Sequence, residues 1–125
     1  MNVLVCVDRS EASRKVVRVV ADLLKGRSGP DQVTVYHVAE FLPEFLLSDH
    51  PEPGMTSRGL AERWAGKAKA DGERVLAERK QELIAGGVAA DAVQIKLDLK
   101  DCLPESKKVV AALAIIDEMQ HGNYD

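Results

Sequence analysis

From Val3 to Val7 five apolar residues follow one another without a polar interruption. A short run of that kind, rich in β-branched side chains, predicts a strand covered on both faces, the central strand of a parallel sheet. Asp8-Arg9-Ser10-Glu11 follows directly. It offers Asp8 and Ser10 as capping residues, and Asp8 and Glu11 stand at capping-box spacing. Between Glu11 and Lys25, Val16, Val20, Leu23 and Leu24 recur at helical spacing, while Arg14, Lys15, Arg18, Asp22 and Lys25 are left for water. Gly26 and Gly29-Pro30 end that helix. Val33–Val38 is a second, mostly apolar and β-branched run, so strand, helix and strand form a βαβ unit. The tight turn at the carboxyl end of its first strand is where α/β proteins place ligands.

The pattern then breaks. Ala39 to about Thr56 carries three prolines (Pro43, Pro51, Pro53) and Gly54 beside Phe41, Leu42, Phe45, Leu46 and Leu47. A connection of that length is a functional flap or a disordered insert, and its apolar cluster favours a segment that packs on the sheet's ligand end or against a partner, with a simple cap on the sheet edge as the alternative. Helical periodicity resumes from Ser57 to about Ala85 with Leu60, Trp64, Ala68, Val75, Leu76, Leu83 and Ile84 as the buried stripe, and Gly86-Gly87 stops it. Lys67, Lys69, Arg74, Arg79 and Lys80 read as a solvated helix face, because Glu and Asp are interspersed among them. Val93–Leu99 alternates strictly and predicts a half-exposed edge strand. Pro104-Glu105-Ser106 opens a last helix with Val109, Val110, Leu113 and Ile116 as its apolar face, and His121-Gly122-Asn123 closes it. By this progression a fourth strand is due. Without one, the run Val3–Val7 keeps a bare, apolar edge, which predicts self-association by strand pairing.

Composition narrows the functional classes. The 125 residues are enough for one domain, 46% hydrophobic and 30% charged, with a formal net charge of -3. No basic excess exists to displace counterions from a phosphate backbone, so no nucleic-acid partner is expected. No apolar run reaches the roughly 18 residues of a membrane span, and no signal segment precedes the first strand, which predicts a cytoplasmic protein. Cys6 lies in a buried strand and Cys102 in a turn, too far apart in sequence for a CxxC redox or zinc pattern. No Ser-His-Asp order, paired-carboxylate site, Walker loop or His/Cys metal cluster is readable, so neither catalysis nor a metal is expected.

Two stretches carry a family resemblance. Val3-Leu4-Val5-Cys6-Val7-Asp8-Arg9-Ser10-Glu11-Ala12-Ser13 resembles the first strand and Asp-x-Ser turn of the universal stress protein family, and Val33-Thr34-Val35-Tyr36-His37-Val38 resembles its second strand ending in His-Val. The later helices and strand follow in that family's order. The resemblance implies an α/β, three-layer Rossmann-like parallel sheet of strand order 3-2-1 in a single domain over residues 1–125. The family's fourth and fifth strands are missing, so the domain is incomplete at its C-terminus. It also implies a non-catalytic stress-response protein with ATP or ADP held at the strand ends, while the bare edge of the first strand predicts a homodimer or other self-association. Cys6, Val7, Asp8 and Ser10 would line the nucleotide, and the main chain of Val38 would meet the adenine edge. Asp8 has a second reading as a simple helix cap, and His37 as a packed strand histidine. The family holds phosphates on Gly-x2-Gly-x9-Gly-Ser/Thr, which does not occur in this sequence. ATP binding is therefore expected to be weakened or lost, and the alternative is a pure interaction module that pairs through its first strand.

Overall fold

The computed structural model describes residues 2–25, 31–41, 57–101 and 107–124. Its elements in chain order are β1 (Asn2–Cys6), α1 (Glu11–Leu24), β2 (Gln32–Phe41), α2 (Ser57–Ala85), β3 (Val93–Asp101) and α3 (Lys107–His121). The three strands are parallel, in the order β1-β2-β3, with Val5 opposite Val35 and Val35 opposite Ile95. This is the expected 3-2-1 order, but the middle place belongs to β2. Among the described residues β1 pairs on one side only, which corrects its reading as the central strand. β2 also runs three residues past Val38, because Ala39, Glu40 and Phe41 find partners in Leu99, Lys100 and Asp101. β3 lies at the opposite edge as its alternation predicts, with Ile95 and Leu99 exposed.

Helices cover both faces. On one, Val3, Val5, Val33, Val35 and Val93 meet Val17, Ala21 and Leu24 of α1 and Val75, Leu76 and Leu83 of α2. On the other, α3 lays Ala111, Ala114 and Ile115 over Tyr36, Val38, Leu4 and Cys6. Two helices therefore present different faces from those expected. In α1 the inward row is Ser13, Val17, Ala21 and Leu24, and Val16 and Leu23 face water. In α3, Val109, Leu113 and Ile116 are exposed. In α2, Trp64 is largely exposed while Arg79, expected on the solvated face, is 1% exposed.

α2 ends where its sequence says it should. Val88 N–H donates to Leu83 O and Gly87 N–H to Ile84 O, both at 3.1 Å, closing the helix with a Schellman motif. Gly87 sits at φ +105°, a conformation that glycine adopts without steric cost. Among the described residues no helix is long and apolar enough to cross a membrane. The apolar segment 42–56, the turn at Gly26 and Gly29-Pro30, Cys102 and the helix start at Pro104-Glu105-Ser106 lie outside the described residues.

Candidate functional site

The sheet's carboxyl end is built where β1 leaves it. Val7 N–H donates to Tyr36 O at 2.8 Å, the last rung between the first two strands, and the chain then turns away. Every main-chain group of Val7 and Asp8 is held from another element. Val7 O accepts from His37 Nδ1 at 2.7 Å. Asp8 N–H donates to Ser13 Oγ at 3.0 Å, and Asp8 O accepts from Arg79 Nη2 at 3.1 Å and Nε at 3.3 Å. Arg79 Nη1 donates to Glu82 at 2.8 Å, so the buried guanidinium is both neutralised and hydrogen-bonded.

Of the two capping candidates, Asp8 and Ser10, the second closes α1. Ser10 is the N-cap, its hydroxyl accepting from Ser13 N–H at 3.1 Å. Asp8 instead steadies the cap: its Oδ1 accepts from both Ser10 N–H and Ser10 Oγ. An aspartate bonding the main chain two residues on is an Asx-turn, and it competes with the capping-box geometry that the Asp8–Glu11 spacing suggested. These bonds, the Ser10 hydroxyl's first and its N–H second, hold the Asp8 carboxyl below the usual carboxylate range. The positive guanidinium of Arg79 reinforces them.

Val7, Asp8, Ser10 and Val38 come together at this corner. Tyr36 turns its carbonyl toward β1, so by the two-residue period of a strand Val38 turns its N–H and C=O the same way. β1 has ended there. Among the described residues nothing bonds the Val38 main chain on that side. Cys6 is different. Its main chain faces the outer edge, its side chain packs under α3, and burial followed by the nearby Glu118 pushes its thiol above the ordinary range. It is a packing residue and a poor nucleophile.

A cleft of about 310 Å³ opens beside the corner, between the end of β2 and the middle of α2. His37, Ala39 and Glu40 form its strand wall, Ala68, Asp71 and Gly72 its helix wall, and Arg9 its rim. Arg9 Nη2 meets Asp71 Oδ2 at 3.2 Å across the mouth. Such an exposed pair contributes at most about 1 kcal/mol and yields readily to a ligand. Beyond it lies a smaller hollow of about 170 Å³ where Arg14 and Arg74 gather beside Glu78. The pattern of apolar positions places Ala68 in the buried stripe of the long helix and His37 in the second strand, but marks no cleft between them. Gly72, a buried glycine inside a long helix, is the one sequence signal that two surfaces approach closely there. A methyl group at Gly72 would stand 2.7 Å from Leu97 Cδ1 and 3.2 Å from His37 Cδ2. Among the described residues no three His, Cys, Asp or Glu side chains gather as a metal ion would require.

No family model and no curated protein matches the sequence. Solved structures do match the fold. A universal stress protein in complex with cAMP superposes with a TM-score of 0.53 at 14% identity, over 96% of this chain and 70% of that one. A protein of the universal stress protein family from Burkholderia pseudomallei gives 0.50 at 14% identity, over 98% of this chain and 90% of that one. The fold is that of the universal stress proteins. At that identity the likeness is one of backbone architecture: a universal-stress-type sheet with helices on both faces, and the Asp8-Arg9-Ser10 turn leaving its first strand.

Proposed function

We propose that this chain is a universal-stress-type regulatory protein without catalytic turnover, which takes an adenine nucleotide or nucleoside at the corner formed by Asp8, Ser10 and Val38. The observation that carries this reading is the Val38 main chain. It presents an N–H and a C=O past the end of β1, beside a turn pinned by His37, Arg79 and Ser13. Fixed main-chain donors and acceptors suit the edge of a purine, since no side chain has to be ordered on binding. The cAMP bound to one structural neighbour supports a nucleotide as the ligand class. ATP binding is weakened, because the glycine-rich phosphate segment does not occur in this sequence and Asp8 adds a negative charge beside the turn. Isothermal titration calorimetry with ATP and ADP tests this. The expected dissociation constants lie well above 1 μM, less than about 8 kcal/mol of binding free energy. Micromolar or tighter ATP binding overturns the weakening. No saturable binding by ATP, ADP, cAMP or adenosine up to millimolar concentration overturns the ligand class.

A second reading, a protein-interaction module, rests on the open side of β1. Leu4 and Cys6 turn their main-chain groups outward by strand parity, since those of Val5 and Val7 face β2. The helices covering β1 on the two faces both carry exposed apolar rows: Val16, Val19 and Leu23 on α1, and Val109, Leu113, Ile116 and Met119 on α3. An edge with unpaired ladder groups between two such rows is a template for strand addition. Sedimentation velocity over a concentration series is expected to show dimers or larger species. A clean monomer at high concentration rejects this reading.

A further inference from the structure

We infer that the cleft between β2 and α2 selects an uncharged, donor-rich planar ligand, so that the site prefers an aminopurine nucleoside to its phosphorylated forms. The inference rests on the proposed function for the ligand class, and adds where the ligand's body lies and which charge it bears.

His37 is the first reason. Its Nδ1 lies 2.7 Å from a carbonyl oxygen, which can only accept, so Nδ1 bears a proton, and in the neutral ring Nε2 carries the lone pair. Cδ2 faces Gly72 on α2. With Nδ1 turned to β1 and Cδ2 to the helix, Nε2 is the polar ring atom left to the cleft that His37 walls. Among the described residues it has no partner. The neutral histidine is thus a hydrogen-bond acceptor held in one tautomer by the bond its other nitrogen makes.

Charge is the second reason. One guanidinium, Arg9, faces two carboxylates, Asp71 and Glu40, so the lining carries a net single negative charge. With Nε2, the cleft offers three accepting groups against one donating group, the Arg9 guanidinium, which Asp71 engages. A ligand bearing amino and hydroxyl groups complements that set, and a phosphate opposes it. Arg14 and Arg74 on the far side of the Arg9–Asp71 pair do not reverse this, because Glu11 faces Arg14 and Glu78 lines the same hollow as Arg74. The third reason is shape. Ala39 on the strand wall and Ala68 and Gly72 on the helix wall project no long side chain into the cleft, and its volume sits at the lower end of small-molecule sites.

The test compares adenosine, AMP and ATP by calorimetry on the wild-type chain and on two variants. Ala68→Leu fills the cleft from a helix position where leucine is well tolerated. His37→Asn keeps a donor for Val7 O and deletes Nε2. Circular dichroism checks that both remain folded. Adenosine is expected to bind about tenfold more tightly than ATP, and each variant to weaken adenosine by about tenfold. Equal or tighter ATP binding overturns the charge selection. Adenosine binding that neither variant weakens overturns the cleft as its seat, while the Val38 corner stands as the nucleotide site. No adenosine binding to the wild type overturns both.

Discussion

Replacing Arg79 by Met is expected to lower the stability of the fold by about 2–3 kcal/mol, read as a lower urea midpoint at unchanged slope. Methionine conserves most of the buried stem and its volume, so the loss isolates the guanidinium. Three hydrogen bonds go with it, two of them on Asp8 O and one on Glu82. Glu82 is partly exposed and returns to water at little cost. Asp8 O belongs to the main chain and stays where it is. A carbonyl left without a partner costs about 1–3 kcal/mol, and bonds from a charged donor lie at the upper end. The opposing term is the relief of burying a cation, which often makes an apolar replacement neutral when both partners can be removed. Here one partner cannot. Lysine at the same position keeps the charge but loses the planar fork, so Arg79→Lys is expected to be no milder. An unchanged midpoint in both variants would show that the guanidinium makes no net contribution. The turn through Asp8 and Arg9 should also loosen, weakening any ligand seated there.

What was readable in the chain, and what was not, divides along distance in sequence. Strand and helix positions follow from local periods of two and 3.6, so Val3–Val7, Val33–Val38 and Val93–Leu99 mark strands, and the 57–85 helix has the bounds its pattern predicts. Strand order follows in turn, since short connections keep consecutive parallel strands adjacent. Helix faces were not readable. α1 and α3 are apolar on more than one side, and local periodicity cannot choose between overlapping rows. Tyr36 makes the choice for α3. It is fully buried on that face, its hydroxyl donating to Asp98 and lying 3.4 Å from Ala114 O, so only a small residue fits above it. Glu118 then falls beside Lys96 and Tyr124, which hold its carboxyl below the usual range. Val109, Leu113 and Ile116 are turned outward as a consequence. The site shows the same division. Asp8 and Ser10 were legible as turn and cap residues because that chemistry is local, whereas Val38 came from the family resemblance and lies three residues inside the end of β2. Arg79 reaches Asp8 across 71 positions and His37 reaches Val7 across 30. Nothing in Glu78-Arg79-Lys80 distinguishes the buried cation from its solvated neighbours.

Leu83→Ala is expected to cost about 3 kcal/mol, the largest effect of any single truncation in the α1–α2 layer. Leu83 is 0% exposed and packs in the cluster with Val17, Ala21 and Val88. Removing a fully buried leucine side chain loses its transfer free energy and adds a cavity term, together about 2–5 kcal/mol. Two features place this site in the middle of that range. Leu83 is the residue whose carbonyl receives Val88 N–H, and the Val88–Leu83 apolar contact is the one that accompanies a Schellman stop. The neighbours that would have to close the cavity are strand valines and a helix terminus tied by hydrogen bonds, so collapse is limited. Working the other way, alanine is the better helix former, but that gain is only a few tenths of a kcal/mol at one position. The cavity term therefore wins. Chemical denaturation with hydrogen exchange at Gly87 and Val88 checks both parts. A loss under 1 kcal/mol with full protection of the two amides would mean that the helix stop stands without its apolar clamp. A loss near 3 kcal/mol with accelerated exchange at those amides ties the end of α2 to the core that positions Arg79, one helical turn earlier, on Asp8.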